Sequence, residues 1–306
     1  MKLFDLHCDT LYETYHRQCS LSDNSDCHIS LERANIYEHY SQIFAVWSSH
    51  RRTDDENYSD FFKILEYNKE NLRETERFTP YLAVEGGKLL AGDISRLDAL
   101  YGAGVRFLTL VWNDICCMGG AHDNEEGLSD FGKAVVRRCF EIGIVPDLSH
   151  SSQNGMRDAL EIARETGKPL IATHSNSYAI CPHSRNLTDE LFLEIAATGG
   201  IVGISLCRAH LTQNEINCTV ENVAEHILHY LSLGDEAKRT VCLGCDFDGI
   251  SNPPKGVGDI SQMENLANEL ARRGVETPLI ENIFHKNAQS FVEGAGVRGA
   301  GGAQTF

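Results

Sequence analysis

Eight apolar, β-branched or aromatic segments recur along the chain, and most stay apolar until their last residues, where Asp, His, Glu or Asn appears. They run Leu3 to Asp9, Gln42 to Ser48, Pro80 to Glu85, Val105 to Asn113, Ile144 to His150, Pro169 to Ser175, Gly200 to Leu206 and Thr240 to Asp248, with starts 25 to 40 residues apart. Helical spacing fills the intervals, as in Phe61-Ile64-Leu65-Asn68, Val135-Val136-Cys139-Phe140 and Val223-Ile227-Leu228-Leu231. One strand and one helix per period, repeated eight times, predicts a parallel (β/α)8 barrel of the TIM type. A doubly wound sheet would alternate similarly but would gather its function at one switch point behind a Gly-rich phosphate loop, and neither signature is found.

The 306 residues suit one such barrel. Residues 1–293 are expected to form the domain, and residues 294–306, GAGVRGAGGAQTF, a flexible C-terminal tail without periodicity. No apolar run approaches the roughly 18 to 20 residues a membrane span needs. The start lacks a charged segment followed by a long apolar one, so the expected location is the cytoplasm. Eleven cysteines, an odd number at irregular spacings, read as reduced thiols. A formal charge of -17 repels nucleic acid and anionic membrane, which excludes both as partners, and suits a chain that holds divalent cations.

Barrel active sites sit at the C-terminal ends of the strands, which is where the polar residues of this chain fall. His7 and Asp9 are one residue apart at the end of the first segment, so strand alternation aims both to one side. Glu85 closes Tyr81-Leu82-Ala83-Val84 and precedes Gly86-Gly87. His150 closes the fifth segment and His174 lies at the end of the sixth. A buried Glu needs a compensating cation, and five nitrogen and oxygen donors on one rim suit two zinc ions that share a bridging carboxylate. Asp246 and Asp248 share a face by the same alternation, and one of them is expected to reach the metals. Cys242 and Cys245, at an odd offset, fall on opposite faces of a strand and are not expected to bind zinc.

Read in order, Asp5-Leu6-His7-Cys8-Asp9, Val84-Glu85-Gly86-Gly87, GLSDFG from Gly127, Asp147-Leu148-Ser149-His150, Thr173-His174-Ser175-Asn176, CPHSRNLTD from Cys181, and Gly244 to Gly249 cover nearly the whole chain. Together they resemble the renal (membrane) dipeptidase family of the amidohydrolase superfamily, in a soluble bacterial-type form. The resemblance implies a zinc-dependent dipeptidase that cleaves dipeptides with a bridging hydroxide. It implies a first zinc on His7, Asp9 and Glu85 and a second on Glu85, His150 and His174, with Glu85 as the bridge. It makes Asp246 the acid that carries a proton to the leaving amine, and Arg185 a contact to the substrate. Where animal members carry a substrate-contacting His, this chain has Trp112, with Asn113 and His122 as nearby substitutes. The partner expected is a small dipeptide; homodimerisation stays open.

Other amidohydrolase-type activities, such as a lactonase, deaminase or phosphotriesterase, usually open with His-x-His and often bridge with a carboxylated Lys, unlike His7-x-Asp9 and Glu85. A Ser-His-Asp hydrolase would need a Gly-x-Ser-x-Gly elbow, which the chain lacks. A metal-binding barrel without catalysis is the remaining alternative, kept open by Trp112.

Overall fold

A computed structural model of the protein describes residues 1–300. Its strands close in chain order: β1 (Leu3–Cys8), β2 (Tyr40–Trp47), β3 (Phe78–Glu85), β4 (Val105–Thr109), β5 (Val145–Asp147), β6 (Ile171–Ala172), β7 (Ile201–Ile204) and β8 (Val241–Leu243). All neighbours are parallel, and β8 pairs back to β1 through Leu243 and Asp5. The expected (β/α)8 barrel is the fold observed.

Strands β5 to β8 stop before their apolar segments do, because side chains take the backbone donors that would extend the ladder. Asp147 accepts from the backbone N–H of Ser149 at 3.0 Å and of Thr173 at 2.8 Å. Asn176 Oδ1 accepts from Ser205 N–H at 2.9 Å, and Asp5 Oδ1 from Cys245 N–H at 2.7 Å. The residues that close each segment are thereby released from the sheet and turn over the barrel mouth.

Period-two alternation divides the core. Phe4, Leu6, Ile43, Ala45, Phe107, Val145, Ile171 and Ile201 form one cluster with Tyr81, which stacks on Phe4 at 5.3 Å between ring centres. Their strand neighbours, among them Leu3, Phe44, Val46, Leu82 and Leu108, pack with the helices in a second cluster. Burying each such side chain contributes roughly 1.5–3 kcal/mol. Cys242 belongs to the first cluster and Cys245 to the second, so the two cannot share a zinc ion; all eleven cysteines are free. Val297 packs in the first cluster with Phe291 and Val292, so the described beginning of the segment expected as a tail lies against the barrel. Residues 301–306 of that segment lie outside the described residues.

Helix starts set the length of the loops over the mouth. Ser129 caps helix Asp130–Ile142 and Ser152 caps helix Gln153–Thr166, each accepting a backbone N–H from the third residue on. Ser152 confines His150 to a five-residue connection between Asp147 and Gln153. Below the mouth, a Cβ on Gly244 would lie 1.7 Å from the Thr173 carbonyl oxygen, so the position just after β8 admits only glycine beside the residue that precedes His174.

The loop after β6 is anchored by His226 on helix Val220–Ser232. Its Nδ1 accepts from Ser177 N–H and its Nε2–H donates to the Leu211 carbonyl, both at 3.0 Å. Burial lowers its pKa from 6.5 to about 4. The unfolded chain takes up this proton first, so the stability is fully present above pH 6.5 and is lost as pH falls towards 4. At the low end the loss is about 3 kcal/mol. Urea midpoints measured from pH 7 to 4.5 are expected to fall less steeply for His226→Asn than for the wild type; parallel curves would remove His226 from the acid response.

Candidate metal centre

Glu85 is the last residue of β3, in register with Trp47 on β2, Thr109 on β4 and Asp147 on β5. Its Oε1 receives three imidazoles: Nε2 of His150 at 3.1 Å, of His174 at 3.4 Å and of His7 at 3.5 Å. The His150 and His174 Nε2 atoms are 2.9 Å apart. Asp9 Oδ2 and Asp246 Oδ1 stand 3.5 and 3.9 Å from His7 Nε2. All six side chains are at least largely buried. Donor atoms of Glu85, His150 and His174 lie within 4.8 Å of one another, as do those of His7, Asp9 and Asp246.

The tautomers follow from the neighbours. Thr173 Oγ1–H donates to Asp147 Oδ2 at 2.6 Å, which leaves only its lone pairs for His174 Nδ1 at 2.8 Å. His174 Nδ1 therefore carries the proton. His150 Nδ1–H donates to Asn113 Oδ1 at 2.7 Å. Both Nε2 atoms are then bare lone pairs facing each other and a carboxylate oxygen, an arrangement that repels itself unless a cation enters. His7 Nε2 and Asp9 Oδ1 are buried without a hydrogen-bond partner. A third grouping, His7, Asp147 and His174, is not a ligand set. Asp147 already accepts from Thr109, Ser149 and twice from Thr173.

Electrostatics give the same reading. Burial, then Asp9, raises the Glu85 pKa well above the carboxylate range. Burial raises Asp246 to about 7 despite His7. Burial opposes charge on His7, yet Glu85, Asp9 and Asp246 outweigh it and raise the pKa to about 10. Burial, then a neighbouring cation, drives His150 and His174 well below the usual imidazole range. The cluster holds more negative charge than its own imidazoles neutralise, and divalent cations would supply the difference. Donors and charge both fit them.

Backbone strain gathers at the same rim. His150, Asp246 and Asp248 are non-glycine residues in the left-handed region, at φ 70°, 62° and 68°. Such residues cost of order 1–3 kcal/mol each and persist where the surroundings impose them. Asp246 and Asp248 lie beyond the end of β8 and diverge. Asp246 joins the cluster, whereas Asp248 accepts from Thr10 Oγ1 at 2.6 Å and from the His28 backbone. Asp9 has likewise left the strand and precedes helix Thr10–Arg17. A Cβ on Gly249 would lie 2.3 Å from Asp246 Oδ1 and 2.4 Å from Asp9 Oδ2, so this glycine makes room for both carboxylates.

The cluster opens into a cavity of about 310 Å³ lined on one side by Tyr12, Trp47 and Trp112 and on the other by Cys207 and His210. Its wall carries Asp9, Glu13, Glu85, Asp246 and Asp248 but no Lys or Arg among the described residues. Trp112 and Asn113 both line it. Arg185 lies just outside the wall, 2% exposed, with Nη2 3.4 Å from the His174 carbonyl and with Nε and Nη1 unpartnered. His122 does not line the cavity; its Nδ1 meets Ser184 Oγ at 2.8 Å and ties the loop after β4 to the loop after β6.

The sequence model of the membrane dipeptidase family, peptidase family M19, matches residues 51–295. The chain belongs to this family. Among relatives of this membrane dipeptidase family member, an uncharacterised dipeptidase of Schizosaccharomyces pombe is 32% identical over 210 residues, covering 67% of this chain and 50% of the relative. Dipeptidase aclJ of Aspergillus oryzae is 35% identical over 207 residues, covering 65% and 47%. The chain thus spans about half the length of these relatives. A metallopeptidase from Rhodobacter sphaeroides, solved with a phosphinate mimic of the dipeptide L-Ala-D-Ala, superposes with a TM-score of 0.84 at 22% identity over 96% of this chain and 99% of that one. At that identity the likeness establishes the fold. Among the described residues no helix is long and apolar enough to cross a membrane.

Sequence reasoning missed Thr173 and Asp147 as supports, Gly249, and the cavity residues Tyr12, Trp47 and His210. Asp147 and Thr173 stood inside quoted motifs, so position was available and partnership was not. Nothing in the sequence pairs Tyr12 with Trp47.

Proposed function

We propose that the protein is a metal-dependent dipeptidase that holds two divalent cations, zinc by its nitrogen and oxygen donors, and hydrolyses the peptide bond of free dipeptides. The observation that carries this reading is the convergence of three imidazole Nε2 atoms within 3.5 Å of one carboxylate oxygen of Glu85. His7, Asp9 and Glu85 would hold one cation, and Glu85, His150 and His174 the other. Bound there, the cations supply Lewis acidity that lowers the pKa of water and polarises a carbonyl.

The chain's own residues do the rest. Asn113 and Thr173 fix the His150 and His174 tautomers so that both Nε2 lone pairs face inward. Asp246 accepts the proton of the attacking water and returns it to the amine nitrogen as the carbon–nitrogen bond breaks. The acidic wall accommodates the substrate's ammonium group. Arg185, a buried cation with two unpartnered donor nitrogens, receives the substrate's C-terminal carboxylate. Its neighbours His122, His183 and His210 are held neutral by burial and by Arg185 itself, so they add donors without competing charge.

Comparing kcat/KM for one dipeptide and its C-terminal amide, in wild type and in Arg185→Lys, tests the substrate class. The wild type is expected to prefer the free dipeptide by at least about tenfold, because an amide leaves the guanidinium unpaired. Arg185→Lys keeps the charge but loses the planar fork and should narrow the preference. Equal rates for acid and amide in the wild type would overturn carboxylate recognition.

A further inference from the structure

The geometry points to a subsite for a bulky apolar side chain, aromatic by preference, on the substrate residue N-terminal to the cleaved bond, formed by Tyr12, Trp47 and Trp112. This inference rests on the dipeptidase reading and on Arg185 as the carboxylate anchor.

The three rings form a continuous, partly exposed wall of the cavity. Tyr12 meets Trp47 edge-on at 5.3 Å between ring centres, and Trp47 meets Trp112 at 4.8 Å and 60°. His50 stacks behind Trp112 at 5.5 Å and 6°. The wall is held from below as well. Trp47 ends β2 in register with Glu85, and Trp112 packs so close to Gly86 that a Cβ there would lie 3.3 Å from its own. The Trp112 ring stands 6.0 Å from that of His150, so the wall begins where the donor cluster ends.

Topology orients the substrate. The wall comes from the ends of β2 and β4 and from the helix after β1, whereas Arg185 follows β6 and His210 follows β7. In a barrel closed in chain order these are opposite sides of the mouth. A dipeptide whose carboxylate reaches Arg185 lies with its peptide bond over Glu85. Its N-terminal side chain then meets the aromatic faces. Partly exposed rings in a cleft favour an apolar partner that displaces their water, and the edge-on and tilted surfaces suit another ring. An acidic side chain would find Glu13 and, among the described residues, no Lys or Arg on the cavity wall.

The test is a kcat/KM series on the zinc-loaded protein with Phe-Ala, Leu-Ala, Ala-Ala, Glu-Ala and Ala-Phe. Phe-Ala is expected to exceed Ala-Ala by about tenfold to a hundredfold, with Leu-Ala between them and Glu-Ala lowest. The Phe-Ala to Ala-Ala ratio should fall towards one in Trp47→Leu and, separately, in Tyr12→Leu. Hydrolysis of Ala-Ala as fast as Phe-Ala by the wild type would overturn the subsite and leave the dipeptidase reading standing. A preference for Ala-Phe would overturn the orientation and with it the subsite. Hydrolysis of none of the five would overturn both readings. The wild-type series decides these outcomes whether or not the variants fold.

Discussion

Glu85→Gln is expected to bind at most one cation tightly and to lose at least about a thousandfold in dipeptide hydrolysis, the consequence of removing several kcal/mol of charge stabilisation. Gln preserves volume and keeps one oxygen, but it removes the negative charge that three imidazoles and two cations would share, and its amide hydrogens face the cluster. The metal-free variant should be more stable than the metal-free wild type, because burial makes an ionised Glu85 costly and a neutral amide is spared that cost. Zinc should therefore raise the melting temperature of the wild type strongly and that of the variant little, since stabilisation follows binding to the folded state. Metal content by elemental analysis and melting curves with and without zinc check this. A variant that binds two zinc ions and turns over normally would reduce Glu85 to a strand-end carboxylate.

Asp246→Asn is expected to keep its zinc and lose about a hundredfold to ten-thousandfold in kcat, the range for removing a general base. The change is isosteric, so the left-handed backbone at φ 62° and the Gly249 contact are preserved. The acid limb of the pH profile distinguishes this role from a structural one. Burial raises the Asp246 pKa to about 7, and bound cations draw it down. A base must be ionised to act, so wild-type kcat should be full above that pKa and fall as pH drops through it. The variant should lack that limb. Parallel loss of zinc and turnover would instead make Asp246 a ligand, as its grouping with His7 and Asp9 permits.

The barrel was legible because apolar runs and helical intervals repeat with one period, a property of local sequence. The strand ends were not, since β5, β6 and β8 stop where Asp5 and Asp147 capture backbone N–H groups from residues far along the chain. Alternation paired His7 with Asp9 and Asp246 with Asp248, but the structure reaches these placements differently. Asp9 leads into a helix, and both aspartates after β8 adopt left-handed backbone and part company. The convergence of His7, Asp9, Glu85, His150 and His174 was legible because each lies at or beside the C-terminal end of an apolar segment. The aromatic wall was not, because Tyr12, Trp47 and Trp112 meet only once β1 to β4 stand side by side and their ends converge at the mouth. Asn113, expected as a substrate contact, accepts from His150 Nδ1, a partnership that only folding reveals. Resemblance, rather than spacing, pointed to Arg185, and its near-complete burial was unreadable in Ser184-Arg185-Asn186.

Dipeptide hydrolysis measured against zinc equivalents added to chelator-treated protein tests whether two cations on Glu85 carry the reaction. No turnover is expected without metal, and a rise that reaches its plateau at two equivalents per chain, with no comparable rise for Glu85→Gln. Full activity in the chelator-treated protein, or a plateau at one equivalent that Glu85→Gln reproduces, would contradict this expectation.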